Sequence, residues 1–343
     1  MGFEEENRKK TDWEYCEQIL PRVSRTFALN IKQLEGDTYR AVLLGYLLFR
    51  VADTFEDNAY QSEAEKIKEL RDFAEIFRGE KGLAERLKLY EPLKFKWREQ
   101  TPEKDLVENG DRVIRCCFEL PKIYREIIDR HLIETAEGMA RFQERKLKCN
   151  SKIFQLQDLK DLEDYCYYVG GNVGVMLTRI FCLRESILSS KSDLEKRQIQ
   201  FGLALQLTNI IKDYPNDIKR GWCYIPASIT GKYEIEPEEI ICLSTEQRKG
   251  ILKELIPRVV EHFNSTLEYI SVIPEAEKSV RMFCIIPFVL AYNTLLQIVE
   301  MKGDKLSRAQ VAALLTECEA YAKSNSLLEG NYSKIRHRLS SLS

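Results

Sequence analysis

The chain has 343 residues, of which 44% are hydrophobic and 31% are charged, so it is long enough to bury a substantial core. Its 52 basic and 54 acidic residues leave a net charge of −2, which argues against the basic surface of a nucleic-acid-binding protein, and no nucleic acid is expected as a partner. The charged N-terminal stretch lacks the apolar core of a secretory signal, and the scattered cysteines, none in a Cys-x-x-Cys pair, are typical of a reducing cytoplasm.

Apolar residues recur with the 3.6-residue period of helices, and alternating runs are nearly absent, so the sequence predicts an all-α protein. The predicted helices span residues 11–21, 37–60, 62–78, 103–145, 155–186, 192–217, 236–270, 274–301 and 307–325. Residues 192–195 have the Ser-x-x-Glu form of a capping box, and Asp37 marks another helix start. A loop with a short helix is expected between Arg78 and Lys104. Because no repeat or shift in composition divides the chain, residues 1–343 are predicted to form a single domain.

The longest apolar run, residues 283–292, is about half the length of a membrane-spanning helix and contains Pro287. No transmembrane anchor is therefore expected. The basic and polar residues 334–343 are typical of a frayed tail, with contact to an anionic bilayer as the alternative. We expect a cytoplasmic protein with at most peripheral membrane contact, which would serve product release, and no protein partner.

The first acidic stripe lies in residues 37–60, which are apolar almost all round and therefore predict a helix buried on every side. Four charged side chains interrupt this surface: Arg50, Asp53, Glu56 and Asp57. Tyr46, Arg50, Asp53 and Asp57 follow one another at helical spacings and so share one face.

The second acidic stripe is built in the same way within residues 201–217. Its polar members recur at spacings of three, four and four residues: Gln206, Asn209, Asp213 and Asp217. A carboxylate buried without a partner is costly, so each aspartate pair is expected to meet cations in the folded protein.

Two kinds of cation satisfy this requirement. Local ion pairs are the simpler explanation, and the nearest bases are Arg50, Lys212, Lys219 and Arg220. Two aspartate pairs, each embedded in an apolar helix, favour instead a shared cluster of metal ions. Carboxylate oxygens without partnering histidines suit magnesium, which bridges carboxylates to phosphates. The stripes therefore predict a diphosphate site in which metal ions neutralise a leaving pyrophosphate.

Four motifs occur in an order that resembles the squalene and phytoene synthases, the head-to-head branch of the helical isoprenoid synthases. They are SRTF (residues 24–27), YLLFRVADTFED (46–57), DYCYYVGGNVG (164–174) and LQLTNIIKDYPND (205–217). FCIIP (residues 283–287) is similar to the squalene synthases rather than the phytoene synthases. The resemblance implies a single-domain isoprenoid synthase fold with a central cavity lined by two aspartate-rich helices.

The resemblance also implies a reaction. Two farnesyl diphosphates would condense head to head to presqualene diphosphate with the help of magnesium, and reduction by NADPH would give squalene for sterol, hopanoid or carotenoid biosynthesis.

The chemical alternative is a relative without reductant that makes presqualene diphosphate, dehydrosqualene or phytoene. A catalytically silent assembly factor and a head-to-tail prenyl synthase or terpene cyclase are further alternatives. The retained aspartates argue against the assembly factor, and the SRTF start and Tyr165 segment argue against the prenyl synthase or cyclase.

Residue roles follow from the same resemblance. The magnesium ligands would be Asp53, Glu56, Asp57, Asn209, Asp213 and Asp217. Substrate would be bound by Arg25, Phe27, Tyr46, Arg50, Gln206, Asn209, Lys212 and Phe283. Tyr165 stands at the position of a tyrosine implicated in proton removal or cation stabilisation. NADPH would be bound by Arg220, Lys305 and Arg308.

Several residues need separate comment. Gly170, Gly171 and Gly174 follow no strand, so they are not a dinucleotide fingerprint, and we expect them to break a helix and leave room for a prenyl chain. Pro215 is expected to kink or end the second helix near Asp217. Compared with family members, Lys212 and Trp222 each replace an arginine, and Trp222 places the reduction step in doubt.

Overall fold

The computed structural model describes residues 2–94 and 100–342, which are predominantly helical and confirm the all-α prediction. In chain order the α-helices are α1 (Gly2–Val23), α2 (Arg25–Ile31), α3 (Gly36–Asp57), α4 (Glu63–Phe77), α5 (Leu83–Tyr90), α6 (Pro102–Glu108), α7 (Gly110–Cys117), α8 (Lys122–Leu147), α9 (Leu159–Cys166), α10 (Asn172–Phe181), α11 (Glu185–Leu188), α12 (Lys191–Glu195), α13 (Gln198–Lys219), α14 (Ala227–Thr230), α15 (Thr245–Ser271), α16 (Lys278–Val299), α17 (Arg308–Tyr321) and α18 (Asn325–Leu342). A π-helical turn at Tyr167–Gly171 joins α9 to α10. The two-residue strands β1 (Phe154–Gln155) and β2 (Trp222–Cys223) pair in parallel.

The chain forms two compact units. The first comprises the residues up to Lys148 together with Arg179–Phe181, and the second comprises Cys149–Thr178 and the chain from Cys182 onward. The assignment of residues 1–343 to a single domain remains a prediction.

Helix α3 is the central helix of the first unit and packs against α1, α4, α7 and α8. Its apolar side chains are fully buried at Leu43, Leu44, Leu47 and Phe55, as the sequence predicts for a helix apolar on every side. Helix α4 begins with a capping box in which Ser62 and Glu65 each accept the other's backbone N–H. These elements hold the first acidic stripe on a rigid core.

The second unit is built around α13, which packs against α9, α15 and α16. Helix α16 is buried along most of its length and includes Pro287. It is long and apolar enough to cross a membrane, although 72% of its most apolar stretch is buried inside the protein. Buried core helices of globular proteins pass the same length test, so this helix is only weak support for a membrane span.

Arg281 ties three helix ends of the second unit together. Its side chain is 0% exposed, and its guanidinium donates to the carbonyls of Ile270 and Ile273 at the end of α15, at 3.0 and 2.8 Å. It also donates to the carbonyl of Ala322 after α17 at 2.9 Å and to Asn325 Oδ1 of α18 at 2.6 Å. The carbonyls at helix ends lack intrahelical donors, so the planar guanidinium satisfies groups that burial would otherwise leave unpaired.

Several predicted boundaries are wrong for identifiable reasons. The predicted helix 103–145 is three helices, because the chain turns before Gly110, where an added Cβ would lie 2.1 Å from Tyr90 Oη, and again before Pro121. Ser192 caps nothing, since it lies inside α12. Residues 334–342 of the tail predicted to fray belong to α18, which packs against α15 and α16, and residue 343 lies outside the described residues.

The role of Arg281 is tested by Arg281→Met, which removes the donors of several buried carbonyls. We expect a loss of about 3 kcal/mol or more in the free energy of unfolding, measured by guanidinium chloride titration with circular dichroism. The matched control is Arg248→Met, which breaks a partly exposed ion pair with Asp304 and is expected to cost less than about 1 kcal/mol. Equal losses in the two variants would contradict this role.

Candidate active site

In the first unit, the SRTF segment contacts the first acidic stripe. The Ser24 hydroxyl caps α2 by accepting the Phe27 backbone N–H at 3.1 Å, and the Phe27 ring lies 5.3 Å from the Tyr46 ring of α3. Burial raises the pKa of Tyr46 to about 12, against a hydrogen bond from Ser24 that lowers it. Tyr46 is therefore a neutral aromatic at physiological pH. Arg25, next to the cap, is exposed.

Arg50 lies between two carboxylates of the first unit. Its guanidinium is 3.7 Å from Asp53 Oδ2 and donates to Glu103 Oε1 at 3.1 Å. Burial lowers the pKa of Arg50, but Asp53, Tyr46 and Glu103 together raise it above its usual value. Arg50 therefore stays charged and is held in one orientation.

Glu103 is a functional candidate that the sequence did not reveal. It stands in the first turn of α6, and nothing in its spacing shows that it reaches Arg50, 53 residues earlier. With Arg50 it lines a cavity of about 220 Å³ whose other lining residues are Thr54, Asp57, Asn58, Ala59, Tyr60 and Thr101. The first stripe thus borders a space large enough for a small anionic group.

The acidic residues of α3 divide between two environments. Asp53 has a side chain that is 40% exposed, and Asp57 is exposed. Glu56 is only 6% exposed. Burial lowers the pKa of the nearby Lys66, and Glu63, Asp57 and Glu56 oppose that shift. Asp53 and Asp57 are therefore the accessible carboxylates of this stripe, and Glu56 lies on its buried side.

In the second unit, the acidic stripe of α13 is paired with local bases. Lys212 Nζ lies 3.0 Å from Asp213 Oδ2 and donates to Asn209 Oδ1 at 3.3 Å. Arg220, which caps the end of α13, donates to Asp217 Oδ1 at 2.6 Å. Helix α13 continues through Pro215 and ends at Lys219, two residues after Asp217. The local ion pairs foreseen for Arg50, Lys212 and Arg220 are thus present.

The glycines of residues 164–174 bring helices together and do not break one. Helices α9 and α10 are joined by the π-helical turn. An added Cβ at Gly202 of α13 would lie 2.1 Å from the Gly170 carbonyl oxygen, and one at Gly174 would lie 2.1 Å from the Gln198 carbonyl oxygen. The backbones therefore touch, which only glycine permits. The prediction of room for a prenyl chain at Gly170 and Gly174 is wrong, because the α13 backbone occupies that space.

Tyr165 of α9 belongs to a buried aromatic cluster. Its ring stacks on Tyr224 with centroids 4.5 Å apart and an interplanar angle of 24°, and the two hydroxyls are 2.9 Å apart. Trp222 also stacks on Tyr224 at 5.4 Å and lies 6.3 Å from the Tyr165 ring, and Phe154 contacts Trp222 edge on at 5.2 Å. Trp222 is 3% exposed and is therefore part of the core.

The other predicted residues are placed as follows. Gln206 lies beside the glycine contact, where its Cβ is 3.3 Å from the Cβ position of Gly170. Phe283 is buried in α16. Lys305 and Arg308 are exposed in the loop before α17 and in its first turn.

The donor chemistry of the stripes suits magnesium bound together with a substrate. Within residues 2–94 and 100–342, no group of three or more His, Cys, Asp or Glu side chains is placed to hold a metal ion alone. Magnesium is commonly held by one or two carboxylates with waters and substrate phosphates, and not by an all-protein cage. Each aspartate pair, taken by itself and with a basic side chain beside it for phosphate, fits a site of that kind.

Comparisons with known proteins bear on the whole chain. A family model described as squalene/phytoene synthase matches residues 20–316. Squalene synthase of Schizosaccharomyces pombe is 31% identical over 287 residues, which are 82% of this chain and 58% of that protein, so this chain spans less than two thirds of the relative's length. Squalene synthase of Rattus norvegicus is 29% identical over 94% of this chain and 74% of that protein. The structure of TcSQS with the ligand BPH1237 is 25% identical with a TM-score of 0.79, covering 96% of this chain and 92% of that one.

The glycine contact is tested by Gly202→Ala, whose Cβ would overlap the Gly170 carbonyl. Because backbone must move to make room, we expect the free energy of unfolding to fall by about 1–3 kcal/mol or more. The control is Gly330→Ala in α18, where an added Cβ meets nothing within 4 Å and alanine should stabilise the helix by up to about 1 kcal/mol. Thermal melts that move in the same direction for both variants would contradict the contact.

Proposed function

Because the chain belongs to the squalene/phytoene synthase family, we propose that it condenses two farnesyl diphosphates head to head through presqualene diphosphate. Reduction by NADPH would then give squalene, as a step of sterol, hopanoid or carotenoid biosynthesis. The observation that carries the proposal is the pair of stripes, in which aspartates on mostly buried helices stand beside basic side chains. Asp53 and Asp213 are partly exposed, and Asp217 is buried. Relatives named squalene synthase over most of the chain support farnesyl diphosphate as the substrate.

The acidic side chains have the first role in this proposal. Asp53, Asp57, Asp213 and Asp217 would hold magnesium, with Glu56 and Asn209 beside them. When bound, magnesium neutralises the charge of a departing pyrophosphate and so assists ionisation. Glu56 is 6% exposed. Its contribution would therefore be negative charge on the buried side of the stripe, behind Asp57.

The basic side chains orient the diphosphate. Arg25, Arg50 and Lys212 would donate to its oxygens, and charged donors form stronger hydrogen bonds to phosphate than neutral ones. Arg50 is already oriented by Glu103 at 3.1 Å, so little side-chain entropy is lost when substrate binds. Lys212, a point charge without the guanidinium fork, would bind less directionally than arginine.

The aromatic side chains would stabilise a carbocation without reacting with it. The faces of Phe27, Tyr46 and Phe283 offer negative quadrupoles and no strong nucleophile. Tyr46 suits this role because its pKa is raised to about 12, mainly by burial, which keeps the phenol neutral. Tyr165 would take part in the proton removal that closes the cyclopropane ring, and Gln206 would contact substrate near it.

The reduction step concerns a different set of residues. Arg220, Lys305 and Arg308 would contact the phosphates of NADPH, which supplies hydride when bound. Their charge suits phosphate, and the last two are exposed. Arg220 is also the partner of Asp217 at 2.6 Å, so it would have to serve both groups.

One observation favours a second candidate, a relative that stops at an unreduced product. Trp222 stands where the family pattern has an arginine, and it is 3% exposed and stacked on Tyr224. It therefore offers no charge to a cofactor phosphate. The products of this candidate are presqualene diphosphate, dehydrosqualene or phytoene.

For the cellular setting, we propose a cytoplasmic protein with peripheral membrane contact. A C30 hydrocarbon product partitions strongly into apolar surroundings. Release of that product at a bilayer surface would follow from its chemistry.

The metal role is tested by Asp53→Asn and Asp213→Asn. Each change removes a ligand charge and keeps the side-chain volume, so the first condensation should fall by about 100-fold or more while the fold is retained. Turnover of farnesyl diphosphate with magnesium is measured by product chromatography, and folding by circular dichroism. The controls are Asp72→Asn and Asp193→Asn, which break exposed ion pairs elsewhere in the two units and should leave turnover unchanged. Normal turnover in both active-site variants would reject the assignment.

The product is tested by incubating the protein with farnesyl diphosphate and magnesium, with and without NADPH. Squalene formed only with NADPH is the expected result, and chelation of magnesium should abolish all turnover. An identical unreduced hydrocarbon, or accumulated presqualene diphosphate, under both conditions would replace the main proposal with the second candidate.

A further inference from the structure

We propose that Tyr224 is a positioning residue, which fixes the hydroxyl of Tyr165 for proton removal in the first condensation. The inference rests on the proposed function. It concerns a residue that lies outside the family motifs of the sequence, seven residues beyond Asp217.

The contact between the two tyrosines is both polar and apolar. The hydroxyls are 2.9 Å apart, and the rings stack at 4.5 Å with an angle of 24°. Tyr165 is 4% exposed and Tyr224 is 6% exposed. A hydrogen bond between buried hydroxyls is poorly contested by water. Either hydroxyl can be the donor, and when Tyr224 donates, its proton occupies one side of the Tyr165 oxygen and directs the Tyr165 O–H bond to the other side.

Tyr224 is itself held rigidly. It directly follows β2, which pairs with β1 through the Phe154 N–H to Gly221 carbonyl bond at 3.0 Å and the Leu156 N–H to Cys223 carbonyl bond at 3.2 Å. Gly221 has φ of +77°, so the turn from α13 into β2 uses a conformation that favours glycine. Trp222 also packs against the Tyr224 ring, with centroids 5.4 Å apart and an interplanar angle of 13°. These contacts fix the position of Tyr224, so its hydroxyl can hold the hydroxyl of Tyr165 in place.

The direction of the Tyr165 O–H bond matters for the chemistry. In ring closure the electron pair of a substrate C–H bond forms the new C–C bond, and the proton is released. Tyr165 would accept that proton on its oxygen as it passes its own proton to the pyrophosphate released by the same ionisation, so it begins and ends neutral. Proton transfer requires a hydrogen-bonding distance and the correct alignment, which a freely rotating hydroxyl lacks.

The test uses Tyr224→Phe, which keeps the stacked ring and removes the hydroxyl. The matched control is Tyr269→Phe, because Tyr269 is also a buried tyrosine of the second unit and shares a 2.9 Å hydroxyl contact with Thr178. We expect Tyr224→Phe to lower kcat of presqualene diphosphate formation by about 10-fold with KM for farnesyl diphosphate unchanged. Tyr269→Phe should leave kcat unchanged at a similar melting temperature.

A double variant separates positioning from a general loss of structure. Tyr165→Phe alone should lower kcat by about 100-fold or more, and adding Tyr224→Phe should lower it no further, because the hydroxyl to be positioned is already gone. Additive losses, a change confined to KM, or an effect of Tyr224→Phe equal to that of Tyr269→Phe would overturn the role of Tyr224. A wild-type protein that forms no condensation product would refute the proposed function as well, whereas normal wild-type turnover with an unaffected Tyr224→Phe variant would refute this inference alone.

Discussion

The cost of carrying a carboxylate on a mostly buried helix is the constraint on which this structure depends. Helices α3 and α13 are apolar over most of their surfaces, so their aspartates require cations nearby. The chain supplies Arg50 to Asp53, Lys212 to Asp213 and Arg220 to Asp217. Asp217 is buried, whereas the pairs of Asp53 and Asp213 are partly exposed. Partly exposed pairs contribute little stability, generally below about 1 kcal/mol. Such pairs are therefore easily rearranged when a divalent cation and a phosphate compete for the same side chains.

Rigid packing allows those rearrangements to be local. In the first unit, the apolar sides of α3 are fixed by surrounding helices, and Glu103 holds Arg50 in place. In the second unit, α13 meets the π-helical turn with backbone against backbone at Gly202 and Gly170. The same helix leads through Gly221 into the strand pair that supports the tyrosine cluster. A candidate metal-binding stripe and a candidate proton-transfer residue are thus attached to one scaffold, where small displacements of side chains have large effects on rate.

The 3.6-residue periodicity of the sequence predicts the helices with a continuous apolar pattern. It does not predict contacts between residues that are distant in the chain. The two acidic stripes and the all-α class follow from 3.6-residue patterns, and α3 begins and ends within a few residues of its predicted limits because its apolar surface is continuous. The contact between Glu103 and Arg50 joins residues 53 positions apart and leaves no local signal. The sequence does not show that α13 is the neighbour that requires the glycines of residues 170–174, so it predicts room for substrate there instead. No local pattern marks Tyr224 either, since its partner Tyr165 is 59 residues away.

The central claim is that the aspartates bind magnesium together with a diphosphate and not as a resident metal. Isothermal titration calorimetry with farnesyl thiodiphosphate, which resists ionisation, measures this directly with and without magnesium. The account predicts tight binding only when magnesium is present, and loss of that dependence in variants of Asp53 or Asp213. Equal affinity with and without magnesium would contradict the account, because the aspartates would then serve only in the ion pairs seen in the structure.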